Sequence, residues 1–217
     1  MAYEQAGTGP ALILVGGALN NRHSAASLVP LLADTFTVVS CDRRGRGDST
    51  NMPPYAGDRE VEDLRALAAA AEGPVHLYGH SSGGILSLEA AAAGGKVRSL
   101  ADSGRGSEAV EAFFRHAGAG FDPGMTRAPW WPALVSLAYT LPYDLALSAD
   151  GGVPADRFAG IAAPVLALHG GASASWAAAS ATAVAAAVQD GRKNVIGGQV
   201  HAVAPDAVAP VLLEFFR

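Results

Sequence analysis

The 217-residue sequence predicts an α/β fold, a mostly parallel central sheet with flanking helices. Three observations predict it: short continuous apolar runs recur, each enters a glycine-rich turn, and helical spacing follows most of the turns. Continuous apolar runs of strand length suit strands covered on both faces. Alternation of such strands with helices gives right-handed parallel crossovers, with ligands bound at the carboxyl ends of the strands.

The elements follow in order. Met1 to Gln5 leaves little room for a first strand, so the sheet is expected to begin at Ala11-Leu12-Ile13-Leu14-Val15, which enters Gly16-Gly17. Phe36 to Ser40 enters Asp42, Gly45 and Gly47, and Val61, Leu64, Leu67 and Ala68 then recur at helical spacing. Pro74 to Tyr78 enters Gly79, with a helix over Ile85 to Ala93. Val97 to Ala101 reads either as a strand or as one face of a helix running from Lys96 to Phe114. In the second case the sheet lacks a strand, and its unpaired edge favours dimerisation. Residues 104–160 carry Phe113, Phe114, Trp130, Trp131, Tyr139 and Tyr143 without strand patterning, and are expected to form a helical lid over the carboxyl edge. Pro164 to Leu168 enters His169-Gly170-Gly171, Trp176 to Val188 reads as a helix, and Asn194-Val195-Ile196 closes the sheet. With no repeat and no low-complexity linker, residues 1–217 read as a single domain with the lid inserted.

Composition excludes several classes. A net charge of −5, with Arg43, Arg44 and Arg46 as the one basic knot, does not make a nucleic-acid surface. Cys41 is the single cysteine, which rules out an internal disulfide, and no Cys/His cluster has zinc spacing. Phe158 to Gln189 carries no charged side chain, but Pro164 and Gly170-Gly171 break it below the length of a membrane span. The start lacks the basic and apolar regions of a secretory signal, so the expected location is the cytoplasm. No glycine cluster has dinucleotide or P-loop spacing, so no cofactor is expected.

The chemistry-bearing signal is Gly79-His80-Ser81-Ser82-Gly83-Gly84, a G-x-S-x-G elbow between a strand and a helix. Such a tight turn requires small residues two before and two after the serine. It lifts the Ser81 hydroxyl clear of the sheet beside a helix N-terminus. A serine nucleophile needs a base, and His201, in Gly197-Gly198-Gln199-Val200-His201 after the last strand, is the best placed of the histidines. His76 and His169 read as packing or capping residues, and His80 as directed along the helix start. Backbone N–H donors for an oxyanion are expected from Ser82 and from the Gly16-Gly17-Ala18 turn.

On Val15-Gly16-Gly17-Ala18, Asp42-Arg43-Arg44-Gly45-Arg46-Gly47-Asp48-Ser49, Gly79 to Gly84 and Gly198-Gln199-Val200-His201, the chain resembles an α/β-hydrolase of the bacterial branch with a Gly-Gly-Ala turn. The resemblance extends from Ala11 to His201. It implies a serine hydrolase acting on an ester, thioester or similar acyl bond of a small molecule, with Ala18 at the first oxyanion position and Gly17 beside it. The acid that usually follows the strand ending at His169-Gly170 would fall on Ser173, which carries no charge. Placing it after the preceding strand makes Asp102 the candidate, with Asp144 and Asp150 of the lid as reserves that require the lid to fold back over the histidine. Trp130 and Trp131 are candidate contacts for an apolar substrate end. Two other functions fit the same residues: a ligand-binding or scaffold protein on an eroded hydrolase fold, and non-hydrolytic biosynthetic chemistry in the same pocket.

Overall fold

The computed structural model describes residues 1–91, 107, 110, 121–141, 143–144 and 152–217. Val97 to Ala101, Phe113 and Phe114 lie outside the described residues. Among the described residues the sheet is in two parts. One holds β1 (Tyr3–Ala6), β2 (Ala11–Val15), β3 (Thr37–Cys41) and β4 (Val75–Gly79) in the order β1-β3-β2-β4. The other pairs β5 (Val165–Gly170) with β6 (Gly191–Ile196). All pairings are parallel except β1 with β3.

The N-terminal segment does form a strand, against the sequence expectation. All four residues of β1 are exposed, so it has no apolar pattern to announce it. It is held by antiparallel pairing of Tyr3 to Ala6 with Cys41 to Val38.

The unbroken apolar run of β2 follows from its place between two layers. Successive strand side chains point to opposite faces. Leu12 and Leu14 join Phe36, Val38 and the helix α7 (Pro205–Phe215) through Val208 and Leu212. Ile13 and Val15 join Val39, Leu64 of α2 (Gly57–Ala69) and Leu86 of α3 (Ser82–Ala91). The last strand behaves differently: residues 192–195 of β6 are exposed, as suits a terminal strand with polar side chains. Against it and β5 lies the alanine-rich helix α6 (Ser175–Ala187), which buries Ala177 and Ala181.

In the described part of the lid a helical turn over Ala155–Phe158 packs against Val188, and further short helical turns run over Pro123–Arg127, Trp131–Ser136 and Ala138–Thr140. The latter share an apolar cluster with Leu19. Among the described residues no helix is long and apolar enough to cross a membrane.

Cys41 is buried at the end of β3, its Sγ donating to the Leu14 carbonyl at 3.6 Å. Burial pushes the thiol up to about 12, far from the thiolate range. Native protein at about pH 8 should therefore resist iodoacetamide, while denatured protein takes up one equivalent. Intact mass checks this, and alkylation of the native fold at the rate of the denatured chain would contradict it.

Candidate active site

The elbow's geometry explains its composition. Ser81 has φ 55, a left-handed conformation that side chains other than glycine rarely adopt, between the end of β4 and the start of α3. A Cβ on Gly79 would stand 2.4 Å from the Gly83 carbonyl oxygen, and one on Gly83 would stand 2.2 Å from that of Val15. Both obstacles are backbone, so neither position admits a side chain without moving helix from strand. The turn is closed by His80 N–H donating to Val15 O at 3.0 Å, and by Gly83 N–H donating to His80 O at 2.9 Å.

The turn after β2 lies directly over it. A Cβ on Gly17 would be 2.9 Å from Ser81 Cβ. The Gly17 N–H is occupied, donating to Asn20 Oδ1 at 3.0 Å. Among the described residues the N–H groups of Ala18 and Ser82 donate to no protein acceptor. Two unengaged backbone donors therefore flank the serine.

From the opposite end of the chain, His201 reaches His80, the residue before the elbow serine. Its loop is anchored by Gly171 N–H donating to Ile196 O and Ala172 N–H donating to Gln199 O, at 2.9 and 2.8 Å. The His201 ring sits 5.0 Å from that of His80 and 5.1 Å from that of Trp176. His80 is thus a neighbour of His201, with its Nε2 3.1 Å from the His201 carbonyl oxygen, instead of lying along the helix start. The strand–turn–helix pattern around His80 carried no signal for this. Burial, with the neighbouring His80, pushes His201 down to about 4. His76 is a packing residue as expected, edge-on to Phe36 and beside Phe216.

Among the described residues no carboxylate contacts His201. Asp102 and Asp150 lie outside the described residues. Asp144 does fold back, but not over the histidine. It is 3% exposed and its partners include Arg43, Arg46 and Ser82. Two buried guanidiniums attract it more strongly than a half-buried imidazole that carries no charge at neutral pH. Among the described residues the buried Ser173 hydroxyl has no hydrogen-bond partner. Of the lid tryptophans, Trp131 is buried with its Nε1–H donating to Ser107, whereas Trp130 is 47% exposed and retains surface for a ligand.

A cavity of about 210 Å³ opens beside the elbow, lined by Gly16, Asn20, Tyr78, His80 and Val203 among others. Neither Ser81 nor His201 lines it. Among the described residues no group of three His, Cys, Asp or Glu side chains is placed to hold a metal.

Comparison with known proteins bears on the fold and the family. An alpha/beta hydrolase from Sphaerobacter thermophilus DSM 20745 is 42% identical, with a TM-score of 0.87 over 100% of this chain and 96% of that one. A hydrolase from Pseudomonas aeruginosa PA01, at 23% identity, shares the fold with a TM-score of 0.74 over 99% of this chain and 93% of its own. Fluoroacetate dehalogenase of a Burkholderia species is 40% identical over 86 residues, 36% of this chain and 28% of that protein. Proline iminopeptidase PfmaB of Pestalotiopsis fici is 30% identical over 96 residues, 41% of this chain and 34% of that protein. The matched stretches thus span about a third or less of these curated relatives. The profile of the alpha/beta hydrolase family matches residues 12–213, from the first buried strand into the last helix, and the chain belongs to that family.

Proposed function

We propose that the protein is a serine hydrolase that cleaves an ester, thioester or similar acyl bond of a small molecule. The observation that carries this is Ser81 at φ 55 on the elbow, with Gly17 packed on its Cβ. Its Oγ attacks the substrate carbonyl while His201 takes the hydroxyl proton. The N–H groups of Ala18 and Ser82 hold the oxyanion. As the tetrahedral intermediate collapses, His201 returns the proton to the leaving group and an acyl-Ser81 ester remains. A water then attacks that ester, with His201 as base, releasing the acid and restoring the serine.

A second reading is a ligand-binding protein that does not turn over. The lack of a carboxylate against His201 among the described residues favours it. One experiment separates the two: intact mass after exposure to a fluorophosphonate, beside Ser81→Ala. The probe requires an activated serine and oxyanion donors, but no knowledge of the substrate. The hydrolase predicts one adduct on the native protein and none on Ser81→Ala. No adduct on folded native protein would sink it.

A further inference from the structure

We infer that the lid clamps the oxyanion donors, with Asp144 as a positioning residue acting through Ser82 and Arg43; the inference rests on the hydrolase reading above. Asp144 Oδ1 accepts from Ser82 Oγ at 2.5 Å and from Arg43 Nη1 at 2.8 Å. Its Oδ2 accepts from Arg46 Nη2 at 2.5 Å. The same Arg43 Nη1 also donates to Ser82 Oγ at 3.2 Å and to the Gly16 carbonyl at 3.3 Å. One lid carboxylate and one guanidinium therefore join Ser82, whose N–H is one donor, to Gly16, two residues before the other donor. Ser82 lies 62 residues from Asp144 in the chain, so no local element sets this link.

The other side of the turn is gripped as well. Leu19, next to Ala18, has φ 60, a strained conformation for a leucine that persists only when its surroundings impose it. The surroundings are the lid: Leu19 is buried with Trp131, Ala138 and Leu141, and Ala18 packs at the margin of that cluster. Ser82 and Ala18 are thus each held by lid residues. This matters because backbone donors stabilise an oxyanion only when aimed before the charge develops. An ion pair that merely glued the lid down would have no need to reach the residue after the elbow serine or the carbonyl ahead of the donor turn.

The test compares Ser82→Ala with Asp144→Asn. Ser82→Ala keeps the backbone donor and both ion pairs and removes only the hydroxyl link. The readouts are the second-order rate of fluorophosphonate labelling, and kcat and KM for a small neutral ester such as p-nitrophenyl acetate. Labelling rate and kcat should fall about tenfold in Ser82→Ala and about a hundredfold in Asp144→Asn, up to the lower edge of the cost of losing one oxyanion donor. KM should stay within about twofold, and the pH midpoint set by His201 should not move. A purely structural role would lower the melting temperature and leave kcat of the folded fraction intact. If Asp144→Asn does not fold, Ser82→Ala decides alone. Native labelling rate and kcat in folded Ser82→Ala overturn the clamp while the hydrolase reading stands. Absence of labelling in the unaltered protein overturns the hydrolase reading, and the clamp falls with it.

Discussion

On the proposed serine-hydrolase chemistry, replacing His201 with alanine is expected to lower kcat by about 10²-fold, because a base without a carboxylate partner has only part of a full triad's effect to lose. In the unaltered protein the pH dependence should be unusual. Burial and the neighbouring His80 hold His201 at about 4, so its neutral, proton-accepting form is present well into acid. The ratio kcat/KM should rise through about pH 4 and run flat across neutrality, where an unperturbed histidine would still be titrating. Stability follows the same group. Its folded pKa lies below the ordinary 6.5, so the unfolded chain binds the proton more tightly. The neutral histidine's contribution is complete above about 6.5 and is lost as pH falls towards about 4, and His201→Ala should remove that slope. Initial rates and urea midpoints between these limits measure both. A rate midpoint at or above 6.5 would mean that a carboxylate raises His201 in the protein in solution.

The elbow is legible because its tightest requirement is local: Gly79 meets the Gly83 carbonyl within a few residues of chain. His201 was legible from chain order and from the glycines ahead of it. Their surroundings were not. His80 and His201 lie 121 residues apart, and nothing in either segment says that their rings meet. Asp144 is a reserve acid for the histidine on sequence alone, yet its partner Arg43 is 101 residues away, in a short basic knot with acidic neighbours. Charged residues near glycines ordinarily face water, and only the tertiary fold buries these. The strand β1 escaped notice for the converse reason, since pairing and not burial holds it. The helix α7 carries a signal of its own, Val208 and Leu212 at helical spacing after Pro205. The segment holding Asp102 lies outside the described residues, so neither the strand reading nor the helix reading of Val97 to Ala101 is decided.

The buried cluster carries the other large expected effect. Glu60 is 1% exposed, with its Oε2 accepting from Arg43 Nε at 2.8 Å and standing 2.6 Å from Nη2 in an ionic contact without hydrogen-bond alignment. Arg43 and Arg46 bring two positive charges into the interior, and Glu60 and Asp144 balance them. Glu60→Ala leaves that balance one charge short where water cannot replace it, a loss of about 3–5 kcal/mol. In a domain of this size that lowers the melting temperature by about 10 °C or more. The control is Asp190→Ala. Its pair with Arg192, at 3.2 Å, has side chains 45% and 61% exposed, and its loss should cost no more than about 1 kcal/mol. Both substitutions remove one carboxylate from one arginine, so the difference between them isolates burial. If thermal unfolding shows equal losses, water reaches the Arg43 cluster in solution. The carboxylates there would then do no more than surface pairs do, and the lid would be held by the apolar contacts of Leu19 and Trp131, by Tyr139 donating to the Gly45 carbonyl and by Tyr55 stacked on Tyr143.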